Sequence, residues 1–222
     1  MTEQHFLYRN AANIVSVLGV LPLCLLFMDG GFQYLIPLII YNNIMDDLDG
    51  ILAAKMNIRS QFGAHLDNVC DAVAHGMIAL AVGVHFGGAV LVMSLLAAGA
   101  AILRSTARLD PASKIQGSPT NELMRHLLFV LLLSSLFSFE AEVWLILVFL
   151  CHSVTMVSSR AIPGMIRSRA NTATKVVWVN LALVVAWLFS WLTLPIALAF
   201  ILTYGYGVYR GFYEKKDDAV NA

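Results

Sequence analysis

Apolar residues run along this chain in blocks of about twenty, separated by short polar breaks. Blocks of that length are too long for strands and match the thickness of a bilayer's hydrocarbon core. The pattern predicts helical spans at 13–29, 32–54, 64–86, 88–107, 123–139, 141–158, 173–191 and 193–211. The span at 123–139 is short for a full crossing. The expected class is therefore an all-α integral membrane protein, a bundle of about eight transmembrane helices. Residues 1–213 form one membrane domain, and 214–222 form a polar tail. The first span is too long, and its flanks too polar, for a cleaved signal peptide.

Composition agrees: the chain is 59% hydrophobic with a mean hydropathy of +0.75, far above a soluble average. The 14 Lys and Arg residues add an orientation. All fall at the N-terminus, at the 2–3, 4–5 and 6–7 junctions, or in the tail, and none falls in the intervening turns. The positive-inside rule then predicts cytoplasmic N and C termini. Net charge is zero, so global charge points to no nucleic-acid partner, and none is expected. Cys24, Cys70 and Cys151 lie in apolar spans without metal-type spacing, so no disulfide framework is expected.

Against this apolar background, Asp46, Asp49, Asp67 and Asp71 stand out. The first two are three apart and the last two four apart, so each pair shares a helix face. An intramembrane carboxylate costs several kcal/mol unless it meets a partner or a wet cavity. Four together require counter-charge, and hard oxygen ligands suit Mg²⁺, Mn²⁺ or Ca²⁺. The bland alternative is a set of helix-end carboxylates in interfacial water. Asp47 points about 100° away from Asp46 and reads as a solvated interfacial residue. His75 follows Asp71 by one turn, either as a packed histidine or as a neighbour of the site.

Gly50 follows Asp49, Gly63 precedes Asp67 by four residues, and Ala53 completes the string D-x2-D-G-x2-A-x9-G-x3-D-x3-D. This string resembles the signature of the CDP-alcohol phosphotransferase family, membrane enzymes that move a phospho-alcohol from a CDP donor to an acceptor hydroxyl. The resemblance implies that Asp46, Asp49 and Asp67 bind metal, and that Asp71 is a metal ligand or the general base. Two divalent ions, Mg²⁺ or Mn²⁺, are the implied cofactors. Gly50, Ala53 and Gly63 would let the CDP donor approach closely. Asn13 and Ser16 match an N-x-x-S pattern that the family often has near the nucleotide, although Asn and Ser at a helix start are also common caps.

The family pattern has arginine after the alanine matched by Ala53, whereas this chain has Ala54. Lys55 and Arg59 follow closely as alternative sources of that charge, and Lys55 points elsewhere on a helix.

Within the family, R-x-x-A-R-L-D at Arg104 and Arg108 is similar to a stretch of the phosphatidylserine synthases, as are Gly117-Ser118-Pro119 and Met156-Val157-Ser158 with Ile162-Pro163. Arg104 and Arg108 are accordingly donor- or acceptor-phosphate candidates, and Arg160 in S-S-R-A-I-P belongs to a second such cluster, while Arg167, Arg169 and Lys175 are adequately explained by topology. After Gly117-Ser118-Pro119 the sequence departs from that branch, and Glu122 and Arg125 point to a different acceptor pocket.

The resemblance implies an enzyme of the bacterial inner membrane whose site faces the cytoplasm. It would transfer a phosphatidyl group from CDP-diacylglycerol to a small alcohol, serine first, with release of CMP. Glycerol 3-phosphate, inositol and choline are alternative acceptors, and a CDP-alcohol donor with a lipid acceptor is the alternative direction. A homodimer is common in that family. From other classes, a divalent-cation transporter or a non-catalytic scaffold would also carry clustered aspartates. Transport is disfavoured because the carboxylates cluster at one membrane face and the C-terminal prolines sit at span ends.

Overall fold

The computed structural model describes residues 3–109, 119–158 and 173–213. Among these residues the fold is eight α-helices and two 3-10 segments, with no strand. The helices are α1 (Glu3–Val20), α2 (Leu35–Lys55), α3 (Gln61–Phe86), α4 (Gly88–Ala107), α5 (Pro119–Phe137), α6 (Ala141–Val157), α7 (Ala173–Leu188) and α8 (Ser190–Tyr213). Each lies on one of the predicted spans. The first span differs most, because α1 begins ten residues before position 13 and its membrane end is the 3-10 segment Leu21–Phe27.

Four segments are long and apolar enough to cross a membrane: Phe6–Phe27, Gln61–Phe86, Gly88–Ala107 and Ser190–Tyr213. Helices α6 and α7 are apolar but shorter. Large apolar side chains cover the outside, with Trp178, Trp191 and Leu202 all more than 60% exposed. An outer surface of that kind is suited to lipid rather than water, which marks the chain as a membrane protein.

Small residues let the helices approach closely, as packing in lipid favours. The α3–α4 hairpin is the most extensive pairing. It turns through Gly87 (φ +69°) and Gly88 (φ +48°), left-handed positions that favour glycine. A Cβ on Gly83 of α3 would collide with Ser94 of α4. On the other side, a Cβ on Gly19 of α1 would lie 2.9 Å from the Met45 Cβ of α2. Tyr41 and Asn42 donate to the carbonyls of Leu18 and Gly19, locking α2 to α1.

Helix α5 is the central element and is buried on every side from Pro119 to Phe129. It meets α6, α8, α3 and α2. Two cations read from the sequence as lying at junctions are in fact interior. Arg104 is 1% exposed and donates from Nη1 to the Ser158 carbonyl (2.8 Å), and Arg125 is 2% exposed. The positive-inside pattern identifies a side of the bundle, and tertiary contacts then decide which of its cations stay wet.

Candidate metal centre and adjoining cleft

The centre is assembled by the turn between α2 and α3. Helix α2 ends on Asn57, which is left-handed (φ +55°), and Ile58 N–H bonds the Ala53 carbonyl (3.0 Å). Asn57 N–H reaches the Ala54 carbonyl (3.3 Å), completing a six-to-one, five-to-two helix stop. Asparagine tolerates that backbone better than most side chains. Ser60 then starts α3 as an N-cap, its Oγ accepting from Gly63 N–H (2.9 Å). The chain reverses within a few residues, and the acidic pairs face each other.

Asp46 and Asp49 from α2 and Asp67 from α3 present carboxylate oxygens that all lie within 4.8 Å of one another. Asp49 is buried, and the other two are half-buried. Three carboxylates this close fit a divalent cation, because hard anionic oxygens suit its charge and a cation would offset their mutual repulsion. Asp71 lies one turn further along α3 and is buried, outside that mutually close trio. His75 is buried one turn beyond Asp71.

Each α2 carboxylate of the trio is also held from a neighbouring helix. Ser16 of α1 donates its hydroxyl to Asp49 Oδ2. Asn121 of α5 donates its amide to Asp46 Oδ2 at 3.0 Å. Such contacts orient ligands and leave other lone pairs for a cation.

Beside the trio opens a cleft of about 280 Å³ between α1, α2 and α3. Asn13, Ser16, Gly50, Ala53 and Gly63 all line it, together with Asp49 and Asp67. The five small or polar residues singled out from sequence for donor binding are thus neighbours around one cavity. Ser16 faces Asp49 rather than capping the helix, and Asn13 Nδ2 donates to Asn10 Oδ1. The glycines play different roles. A Cβ on Gly63 would come within 3.0 Å of Asn13 Oδ1, so this glycine permits the α1–α3 approach. A Cβ on Gly50 would meet nothing within 4 Å, so Gly50 keeps the cleft open.

Arg59 also lines the cleft, whereas Lys55 and Ala54 are exposed outside it. Arg104 and Arg108 are not among its lining residues: Arg104 is held against the end of α6, and Arg108 is exposed. Gly117, Ser118, Arg160, Ile162, Pro163, Arg167, Arg169 and the tail lie outside the described residues. The three cysteines are free.

Asp47 departs from its reading as a solvated residue. It is half-buried and accepts from Asn180 Nδ2 of α7 (2.8 Å) and, more weakly, from Asn43 Nδ2 (3.5 Å). Asn43 Nδ2 also donates to Asn180 Oδ1 (2.6 Å), and Asn43 Oδ1 accepts from Arg125 Nη2 (3.2 Å). Arg125 in turn pairs with Glu122 (2.8 Å). This polar network joins α2, α5 and α7 beside the acidic trio. In sequence it shows only as polar residues at helical spacing, Asn43 and Asp47 on α2 and Glu122 and Arg125 on α5.

No family model matches the chain. A similar protein, an uncharacterized protein of Aquifex aeolicus (strain VF5), is 31% identical over 85 residues. That match covers 36% of this chain and 42% of the relative's length.

Proposed function

We propose that this chain is a membrane phosphatidyltransferase of the CDP-alcohol phosphotransferase type. It would move a phosphatidyl group from CDP-diacylglycerol to a small alcohol, serine first, and release CMP. The observation that carries the reading is the meeting of the Asp46–Asp49–Asp67 trio with a cleft lined by Asn13, Ser16, Gly50, Ala53 and Gly63. The positive-inside distribution supports a cytoplasmic opening, where a CDP headgroup resides while its acyl chains remain in lipid.

Phosphoryl transfer needs alignment and charge neutralisation more than covalent help. Asp46, Asp49 and Asp67 would hold Mg²⁺ or Mn²⁺, which supplies charge neutralisation at the donor pyrophosphate when bound. Ser16 and Asn121 fix two of those carboxylates in advance. Arg59, at the cleft wall, is suited to a donor phosphate and stands in for the charge missing at Ala54. Asp71 takes the proton of the acceptor hydroxyl. The acceptor oxygen bonds to the phosphorus that carries diacylglycerol, the bond from that phosphorus to the bridging oxygen breaks, and CMP leaves with the electron pair.

The test is CMP release by the purified protein supplied with CDP-diacylglycerol, Mn²⁺ or Mg²⁺, and a panel of alcohols. Release that one alcohol stimulates and Asp71→Asn abolishes is the expected result. Absence of release with every alcohol overturns the reading.

A further inference from the structure

The proposed reaction does not use the buried Glu122–Arg125 pair. Both side chains are more than nine-tenths buried, on the central helix. Arg125 Nη1 donates to Glu122 Oε1 and Arg125 Nη2 to Asn43 Oδ1. The Phe200 ring of α8 faces the guanidinium, 5.6 Å from its carbon. Two atoms of the pair nevertheless lack a hydrogen-bond partner among the described residues: Glu122 Oε2, which only accepts, and Arg125 Nε, which only donates. Interior polar atoms are rarely left so, and a charged pair with one open valence of each sign invites a ligand bearing both charges.

The pair is also close to the chemistry. Asn121, whose amide holds Asp46, precedes Arg125 by one turn on α5, and Asn43, which holds Arg125, precedes Asp46 by three residues on α2. Both routes put the ion pair about 5 Å along a helix axis from the Asp46 level.

We infer that Glu122 and Arg125, with Asn43, form the acceptor subsite, and that it takes a small zwitterion, a molecule with an ammonium and a carboxylate on one short skeleton. This rests on the transferase reading. Glu122 Oε2 receives the ammonium and Arg125 Nε the carboxylate, so the hydroxyl points toward the acidic trio. A phosphorylated alcohol would bring anionic charge against Glu122. A purely cationic alcohol would repel Arg125, and a neutral polyol would answer neither charge.

The test is equilibrium binding of radiolabelled alanine, a zwitterion without a hydroxyl that binds but cannot react, to the full chain in nanodiscs. Serine should compete with alanine, and glycerol 3-phosphate, inositol and choline should be at least tenfold weaker. Glu122→Gln should weaken alanine at least tenfold in protein that still melts cooperatively, its melting temperature lowered by the loss of a buried ion pair. If that variant does not fold, the wild-type panel decides alone. The inference is overturned if alanine does not bind, if a non-zwitterionic alcohol competes as well as serine, or if a folded Glu122→Gln binds alanine normally. The two readings fail separately. Alanine bound without CMP release under any condition sinks the transferase and leaves the pocket, whereas release stimulated by glycerol 3-phosphate alone sinks the pocket and leaves the transferase.

Discussion

Ser16 of α1 donates its hydroxyl to Asp49 of α2, across a boundary of 33 residues. The bond makes the first helix part of the acidic site although it contributes no carboxylate. Ser16→Ala should lower Mn²⁺ affinity about tenfold, the usual consequence of removing a contact that orients a ligand. A Mn²⁺ titration of CMP release checks this, and an unchanged midpoint would sink the role given to Ser16.

Neighbouring aspartates should behave in opposite ways. Asp67→Asn removes a charged member of the trio at nearly constant volume, so Mn²⁺ binding and CMP release should both be lost. Asp47→Asn should keep most activity. Asp47→Ala leaves the Asn180 amide without its 2.8 Å acceptor and should cost about 1–3 kcal/mol of stability. Thermal melts of the three variants distinguish the roles; loss of metal binding in Asp47→Asn would overturn the assignment.

The two cleft glycines offer a second contrast. Gly50→Ala gains about 0.5–1 kcal/mol of helix propensity, with no atom within 4 Å to oppose it. Melting should rise while the KM for the CDP donor worsens. Gly63→Ala makes the same intrinsic gain but must displace Asn13 and Ser60, each about 3 Å from the new methyl, so no rise is expected. Equal melting shifts in the two variants would refute the distinction.

Arg59 is the cation that lines the cleft. Arg59→Ala should raise the donor KM about tenfold, the loss of roughly one charge-assisted hydrogen bond. Ala54→Arg in the Arg59→Ala background should restore part of that loss. An unchanged donor KM in Arg59→Ala would separate Arg59 from the donor.

Much of the fold is legible in one dimension, because membrane helices announce themselves by apolar length. The helices α3, α4 and α6 end within a few residues of the expected limits. The acidic trio is legible for a related reason: spacings of three and four convert directly into a shared helix face. What resists reading is pairing between distant segments. Nothing local says that Asn180 would meet Asp47 across 133 residues, or that Arg104 would turn inward to the Ser158 carbonyl. Positions that look identical as cations at a span end separate only when neighbours offer, or fail to offer, an acceptor. The same holds for Asp71, which shares the Asp67 face and yet sits one turn away from the close trio.

The left-handed Asn57 that closes α2 carries an implication for how this chain can vary. Both sides of the turn are sealed, one by backbone bonds to Ala53 and Ala54 and the other by the Ser60 cap. The gap between the acidic pairs therefore behaves as a rigid gauge rather than a tether. Extending α3 by one residue at its start would swing Asp67 about 100° around its axis and carry it off the face opposite Asp49. Between Ala53 and Gly63, chain length itself decides whether the acidic trio can meet.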